Sequence, residues 1–394
     1  MPGERMQSIV ITSCQVDDLC ALEAEWRELE TRADPSFFQS WSWIGCWLAQ
    51  TGLRPILLKA SIEGQVVGLG IVHASRSWRH GWLPVKSLLL HESGDPRVDA
   101  LYIEYNGFLV DRRWERPVIE SVLRHLVLHK RLDGVGAWDE LRLSGVPPAY
   151  AAYAANAAHA ASSAGVGLAV RLIDEQPASA IDLRALQESG GTQLSFLSAN
   201  TRYQIRRSLQ HYERRGALSV RPAHDLAQAL EFLDRLKSLH QATWVRRGKP
   251  GAFSNPFFER FHRDLIRRCH PQGGVELLRV SAGESEIGYL YNFIHRGWVG
   301  NYASGFVFEQ DGKLKPGLVC LVSAARHHAQ QGACVFDLMA GESRYKASLA
   351  TSQTSLQWIS LQRPRLKFVL ADIVKRGRDT LLANRGNRAS PVER

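Results

Sequence analysis

Along the 394 residues, the spacing of apolar side chains switches between a period of about two and a period of about 3.6 in the same order twice. A chain that alternates strand and helix in this way folds as layered units, each a sheet covered by helices, and this length fills two cores of ordinary domain size. In the first pass Ile9 to Ile11 reads as a strand, Asp17 to Thr31 as an amphipathic helix, and a second helix runs through Phe37, Trp41, Trp43 and Trp47. Pro55 to Ala60 and Gln65 to Ser75 are rich in Val, Ile and Leu and meet at Glu63-Gly64, the signature of a hairpin. Leu101 to Leu109 reads as a strand, Trp114 to His129 as a helix and Asp139 to Leu143 as a strand. An alanine-rich helix and the strand Gly167 to Ile173 close this half.

Asp174 to Gln193 holds Pro177, Ser179, Gly190 and Gly191 and suits a connection. The second pass opens with a basic helix, Asn200 to Arg215, stopped by Gly216. Leu218 to Arg221 is a strand, followed by helices from Asp225 to Trp244 and Pro256 to Cys269. Three strands succeed one another over Val275 to Val280, Ile287 to His295 and Trp298 to Phe306. A helix from Leu318 to Gln331 and strands Val335 to Leu338 and Leu356 to Leu361 complete the order.

Charge bears on the partner. Forty-nine basic against 39 acidic residues leave +10, a surface that favours anionic partners such as nucleic acid, an anionic membrane or ligand phosphates. Part of the excess is local, since Lys375, Arg376, Arg378, Arg385, Arg388 and Arg394 face only Asp379 and Glu393 in the last twenty residues, a basic tail that reads as flexible. Cys14, Cys20, Cys46, Cys269, Cys320 and Cys334 form no CxxC pair and read as reduced thiols. No export signal opens the chain, so the expected compartment is the cytoplasm. The uncharged stretch between Arg142 and Arg171 is mostly alanine and broken by Pro147, Pro148 and Gly165, so no transmembrane segment is expected.

Several signatures are missing: GxxxxGK[ST], GxGxxG, HExxH and GxSxG, which removes weight from nucleotide hydrolysis, dinucleotide redox chemistry, zinc proteolysis and serine hydrolysis. Three constellations remain. On the basic helix, Arg202 and Arg206 share a face, as do Tyr203 and Arg207, which suits either guanidinium forks for phosphate or carboxylate or an ordinary solvated face. Lys315-Pro316-Gly317 opens an apolar helix, either a plain helix start or a pyrophosphate site with free amides beside a lysine. Phe336-Asp337 runs through Gly341 into Glu342, Tyr345 and Lys346, which is either a surface turn or a base, a proton donor and a cation gathered in one segment. Trp244, Asn292 and Tyr302 are candidates to line the same cleft. His327 and His328 are adjacent on a helix and are expected to point apart, so no metal site is expected from them.

The order and spacing of Trp26 to Leu29 with Pro35 to Trp41, of Ser198 to Arg207, of Trp244 to Phe253 and of Phe336-Asp337 to Tyr345-Lys346 resemble the CelD/BcsL-type acyltransferases of the GNAT superfamily, relatives of the FemAB peptidyltransferases. The likeness spans roughly residues 10 to 370. It implies an α/β (α+β) fold of tandem GNAT-like domains, each a twisted mixed sheet flanked by helices: residues 1–185, residues 186–370 carrying the acyltransferase cleft, and the tail 371–394. The family's Q/R-x-x-G-x-G/A pyrophosphate loop is replaced between Gln310 and Leu318 by Lys315-Pro316-Gly317 alone.

The resemblance implies an N-acyltransferase moving an acyl group, with acetyl expected, from acyl-CoA as cosubstrate to a small-molecule or glycan amine in exopolysaccharide or cell-envelope production, with no permanently bound cofactor. The alternatives are an aminoacyl-tRNA donor of the FemAB kind, or a silent binding module recognising glycan through Trp41, Trp43 and Trp47, although helix spacing argues for core at those rings. The expected roles are oxyanion or phosphate stabilisation for Lys346, base or amine holder for Asp337 or Glu342, and proton donor to the leaving thiolate for Tyr345. Arg202, Tyr203 and Arg206 would hold an anionic part of donor or acceptor, and Lys315 with Gly317 the pyrophosphate.

Overall fold

Helix starts are written in local side chains. Asp18 accepts from the amides of Cys20 and Ala21 to open the helix Leu19–Arg32, and Ser36 with Gln39 forms a capping box just before the helix Trp41–Thr51, which ends at Gly52 with φ 61°. Asp225 and Asn255 cap the helices Leu226–Arg246 and Pro256–Cys269 in the same way. The computed structural model describes residues 8–79, 82–129, 131–132, 135–188 and 197–370. The expected basic tail and the connecting Gly190 and Gly191 lie outside them.

The first half supplies β1 (Ile9–Gln15), β2 (Ile56–Ile62), β3 (Gln65–Arg79), β4 (Leu83–Leu90), three two-residue strands β5 (Leu109–Val110), β6 (Arg131–Leu132) and β7 (Gly136–Ala137), and β8 (Glu140–Val146). The strand β9 (Ala169–Asp182) closes the first half, and the second supplies β10 (Leu218–Pro222), β11 (Val275–Ala282), β12 (Ser285–His295), β13 (Trp298–Phe306), β14 (Val335–Ala340) and β15 (Ser352–Gln362). Except for β6 and β7, they join one sheet of thirteen strands ordered β1-β2-β3-β4-β8-β15-β9-β14-β13-β12-β11-β10, with β5 set beside β3. Helices flank this mixed sheet, as expected. Two parallel contacts interrupt its antiparallel run, β4 with β8 and β13 with β14, and each lasts only three residue pairs.

The two halves are laced by strand exchange. β15, last in the chain, pairs with β8 of the first half, while β9 pairs with both β15 and β14. The segment expected to be a connection, Asp174 to Gln193, is therefore strand as far as Asp182: its extended residues find partners on both sides that are remote in sequence. A shared aromatic core reinforces the lacing, with Phe37 stacked on Phe293 at 4.3 Å and 13° and Trp43 against Phe261 at 4.9 Å. Trp41, Trp43 and Trp47 are all buried in it, so they cannot present a glycan surface. The alanine-rich stretch is the helix Ala149–Ser163, packed on the helix Glu115–Leu128. Among the described residues no helix is long and apolar enough to cross a membrane. All six cysteines are free thiols.

Leu101 to Leu109 departs most from expectation: only Leu109–Val110 is strand. Left-handed backbone at Tyr102 (φ 47°) and Tyr105 (φ 49°) breaks the extended run. The alternation of Leu101, Ile103 and Tyr105 that mimics a strand instead serves a loop held by Asn106 N–H to Gly145 O at 3.0 Å and by the Ser36 hydroxyl to Tyr105 O at 2.8 Å.

Candidate active site

β13 and β14 run together only from Trp298 to Gly300 against Val335 to Asp337. The register of β14 against β9 then shifts between Asp337 and Ala340, and Met339 adopts φ 65°, a bulge that turns β14 away from its neighbour. Where the strands part, a cleft of about 570 Å³ opens. Tyr302 and Ala303 of β13, Ala340 and Gly341 past the bulge, Trp244 of the helix Leu226–Arg246, and Glu104 from the loop of the first half line it.

Asp337 organises the bulge from behind. Its Oδ1 accepts from the Met339 amide at 2.7 Å, and its Oδ2 accepts from the Tyr105 hydroxyl at 2.5 Å and the Trp298 indole at 3.1 Å. Burial pushes this carboxyl above the usual range, against the pull of those donors and of Lys346. With its oxygens taken by three donors, Asp337 fixes the geometry of the bulge.

The Ala340 peptide is held at both ends. Its N–H donates to Glu104 Oε2 at 2.7 Å, and its carbonyl accepts from Lys346 Nζ at 2.6 Å, which also reaches Met339 O at 3.2 Å. Desolvation lifts Glu104 to about 7, with the charge of Asp337 adding to the rise and the Ala340 amide and Lys346 opposing it. Lys346 is itself lowered by burial, against the attraction of Glu104 and Asp337. A carboxyl titrating near neutrality on the wall of a cleft is suited to proton transfer.

The rest of the wall is aromatic. Tyr302 donates to Leu101 O and is wrapped by Phe258, His262 and Phe293, while Trp244 donates to His240 Nε2 at 2.8 Å. Arg247 and Lys249 lie over the Trp244 ring at 5.5 and 5.7 Å and put positive charge beside the cleft. The arrangement offers an apolar slot, a cationic rim, a half-buried carboxyl and a half-buried lysine.

The sequence-based candidates divide. Trp244 and Tyr302 line the cleft, and Asp337 and Lys346 stand directly behind its Ala340 wall. Asn292 does not reach it: alternation along β12 turns this side chain to the opposite sheet face, against His328 at 3.3 Å. Glu342 is exposed, and Tyr345, on the helix Arg344–Leu349, is 44% exposed as a residue; neither is among the cleft-lining residues.

Arg202, Tyr203, Arg206, Lys315 and Gly317 form a separate corner. The Lys315 amide donates to the Ser208 hydroxyl at 3.1 Å, Lys315 Nζ to Gly312 O at 2.8 Å, and Arg202 to Leu197 O. Tyr203 and Arg206 are exposed, and Gly317 lies under the Phe306 ring, 3.1 Å from where a Cβ would stand. None of these five residues lines the Tyr302 cleft. Glu104 and Tyr105 were missed because they enter from a first-half loop that reads as strand; their only local signal is the pair of carboxylate and phenol beside Asn106-Gly107.

Residues 199–347 match the family model described as Acetyltransferase (GNAT) domain. No curated protein matches the sequence. Among solved structures, FemX is 10% identical with a TM-score of 0.55, over 88% of this chain and 96% of that one. The C-terminal domain of a putative lysylphosphatidylglycerol synthetase from Agrobacterium fabrum is 12% identical with a TM-score of 0.52, over 91% and 96%. L-PGS from Bacillus licheniformis is 13% identical with a TM-score of 0.51, over 91% and 96%. At these identities the likeness is one of fold. The chain carries a GNAT acyltransferase domain, and on that ground it is an acyltransferase enzyme.

Proposed function

We propose that the enzyme is an N-acyltransferase that moves an acyl group, acetyl in the simplest case, from acyl-CoA to an amine seated between β13 and β14. The observation that carries this reading is Glu104, a half-buried carboxyl raised to about 7 that a first-half loop brings to the wall of an aromatic cleft, whose Trp244, Tyr302 and Ala340 belong to the GNAT-matched residues. An amine arrives as its ammonium form and must lose a proton before it can attack. Glu104 takes that proton, the nitrogen adds to the thioester carbonyl, and the C–S bond breaks as the C–N bond forms. Lys346 contributes positive charge beside the developing oxyanion and holds the Met339 and Ala340 carbonyls in place. As the adduct collapses the nitrogen sheds its second proton, and the leaving thiolate takes it up through solvent.

In this reading residues 1–185 form the first GNAT-like domain and lend the base, and residues 186–370 form the catalytic one. Arg247 and Lys249 beside Trp244 suit an anionic donor, with the Arg206–Lys315 corner as a second phosphate-binding candidate. A glycan or other cell-envelope amine as acceptor follows from the CelD/BcsL resemblance, and action in the cytoplasm from the lack of an export-like pattern in Met1 to Val10.

Thermal unfolding with a panel of acyl-CoAs tests the donor. Occupancy at about a hundred times Kd stabilises the folded chain by roughly 2.7 kcal/mol. No shift with any acyl-CoA overturns that donor. The net charge of +10 favours one second reading, aminoacyl-tRNA as donor; in that case tRNA binds and its affinity falls steeply between about 50 and 200 mM salt.

A further inference from the structure

On the sheet face away from the Tyr302 cleft, β11 and the helix Pro316–Gln330 enclose a polar cluster. His328 Nε2 lies 3.3 Å from Glu276 Oε2, and His327 Nε2 lies 4.0 Å from Glu276 Oε1. The expectation that adjacent helical histidines point apart fails here. Their Cβ atoms diverge, but the long imidazole arms rotate independently, so the rings cross at 71° with centroids 5.3 Å apart and both tips reach the same carboxylate. One ligand atom from each of the three residues falls within 4.8 Å of the other two.

The Ser304 hydroxyl donates to Asn301 Oδ1 at 2.8 Å, Asn301 Nδ2 donates to Asn292 Oδ1 at 2.9 Å, and the Asn292 amide nitrogen lies 3.3 Å from His328 Nε2. Glu276 Oε2, a buried oxygen with no hydrogen-bond partner among the described residues, faces the same nitrogen. An unpartnered buried oxygen with two imidazole nitrogens gathered about its carboxylate is an arrangement that a cation would satisfy, the Asn292 amide giving way to it at His328 Nε2.

We propose that Glu276, His327 and His328 bind a divalent transition-metal ion, zinc being the best chemical match. Two imidazoles and a carboxylate are a three-ligand zinc set, and the 3.3 Å between His328 Nε2 and Glu276 Oε2 is close to the roughly 3.4 Å edge of a tetrahedron with donors about 2.0–2.1 Å from the ion, while His327 Nε2, 4.0 Å from Glu276 Oε1, has to swing inward to join it. The Glu276 and His327 side chains are 22% and 17% exposed, which admits the ion and leaves water as the fourth ligand. The ion ties the end of the helix Pro316–Gln330 to β11. The site lies on the sheet face away from the acyl-transfer cleft, and its water-held fourth position leaves the ion open.

Zinc chloride titrated calorimetrically into the chelator-stripped full chain should give one saturable site per chain, and cobalt loading should give the visible absorption of a four-coordinate ion. His328→Gln and Glu276→Gln should each weaken zinc binding by roughly 100-fold or more, while changing His125 and His129, a stacked pair on another helix, should leave it intact. Absence of saturable binding, binding undiminished in both ligand variants, or a cobalt-treated parent chain without that absorption overturns the proposal. The last measurement needs no variant, so it holds even if a substitution prevents folding.

Discussion

Glu104→Gln isolates the half-buried charge on which the proposed chemistry rests. The amide can still accept from the Ala340 N–H, so the 2.7 Å bond survives while the titration disappears. In the parent, folding lifts the Glu104 carboxyl from 4.5 to about 7. Between those values the folded state keeps a proton that the unfolded chain has released, so its contribution to stability falls as pH rises through this window. Integrating that rise gives a loss of roughly 2 to 3 kcal/mol between pH 5 and pH 8. Glu104→Gln does not suffer this loss and should gain that amount on the parent across the same interval. Glu92 and Glu276, also lifted to about 7 by burial, are present in both proteins and cancel. Urea unfolding followed by tryptophan fluorescence at the two pH values measures the difference. A parent-to-variant gap that is the same at both pH values would refute the raised pKa. In an acyl-transfer assay the variant should lose the limb of the rate profile that rises near pH 7, together with roughly a hundredfold or more of kcat/KM.

Lys346→Ala should lower turnover by at least about tenfold, or roughly 1.4 kcal/mol, and a value within about threefold of the parent removes Lys346 from catalysis. Phe293→Ala deletes a fully buried ring stacked on Phe37 across the two halves and should cost about 3–5 kcal/mol in urea unfolding; a cost below about 1 kcal/mol would mean the halves do not depend on this core.

Most elements were legible before any coordinates because local rules write them. The helix Pro256–Cys269 and the strand Trp298–Phe306 have their expected bounds, since a capping Asn255-Pro256 and a Gly297 turn mark their edges in the residues themselves. Leu101 to Leu109 was misread because its alternation satisfies the strand rule, while the left-handed backbone at Tyr102 and Tyr105 is imposed by distant partners such as Gly145 and Ser36. Asp174 to Asp182 was misread as a connection for the converse reason: its partners in β14 and β15 follow it by more than 150 residues.

The candidate site divides along the same line. Asp337 and Lys346 lie nine residues apart, and a strand ending in a glycine turn brings them together by local geometry, so their association could be read from the chain. Glu104 stands more than 230 residues before Ala340, and Glu276 some fifty before His327. Periodicity reports which face of its own element a residue occupies, but it carries no information about which remote element will cover that face. That pairing is settled by packing and by strand exchange, and with it whether a carboxylate is solvated or half-buried at about 7 beside a cleft.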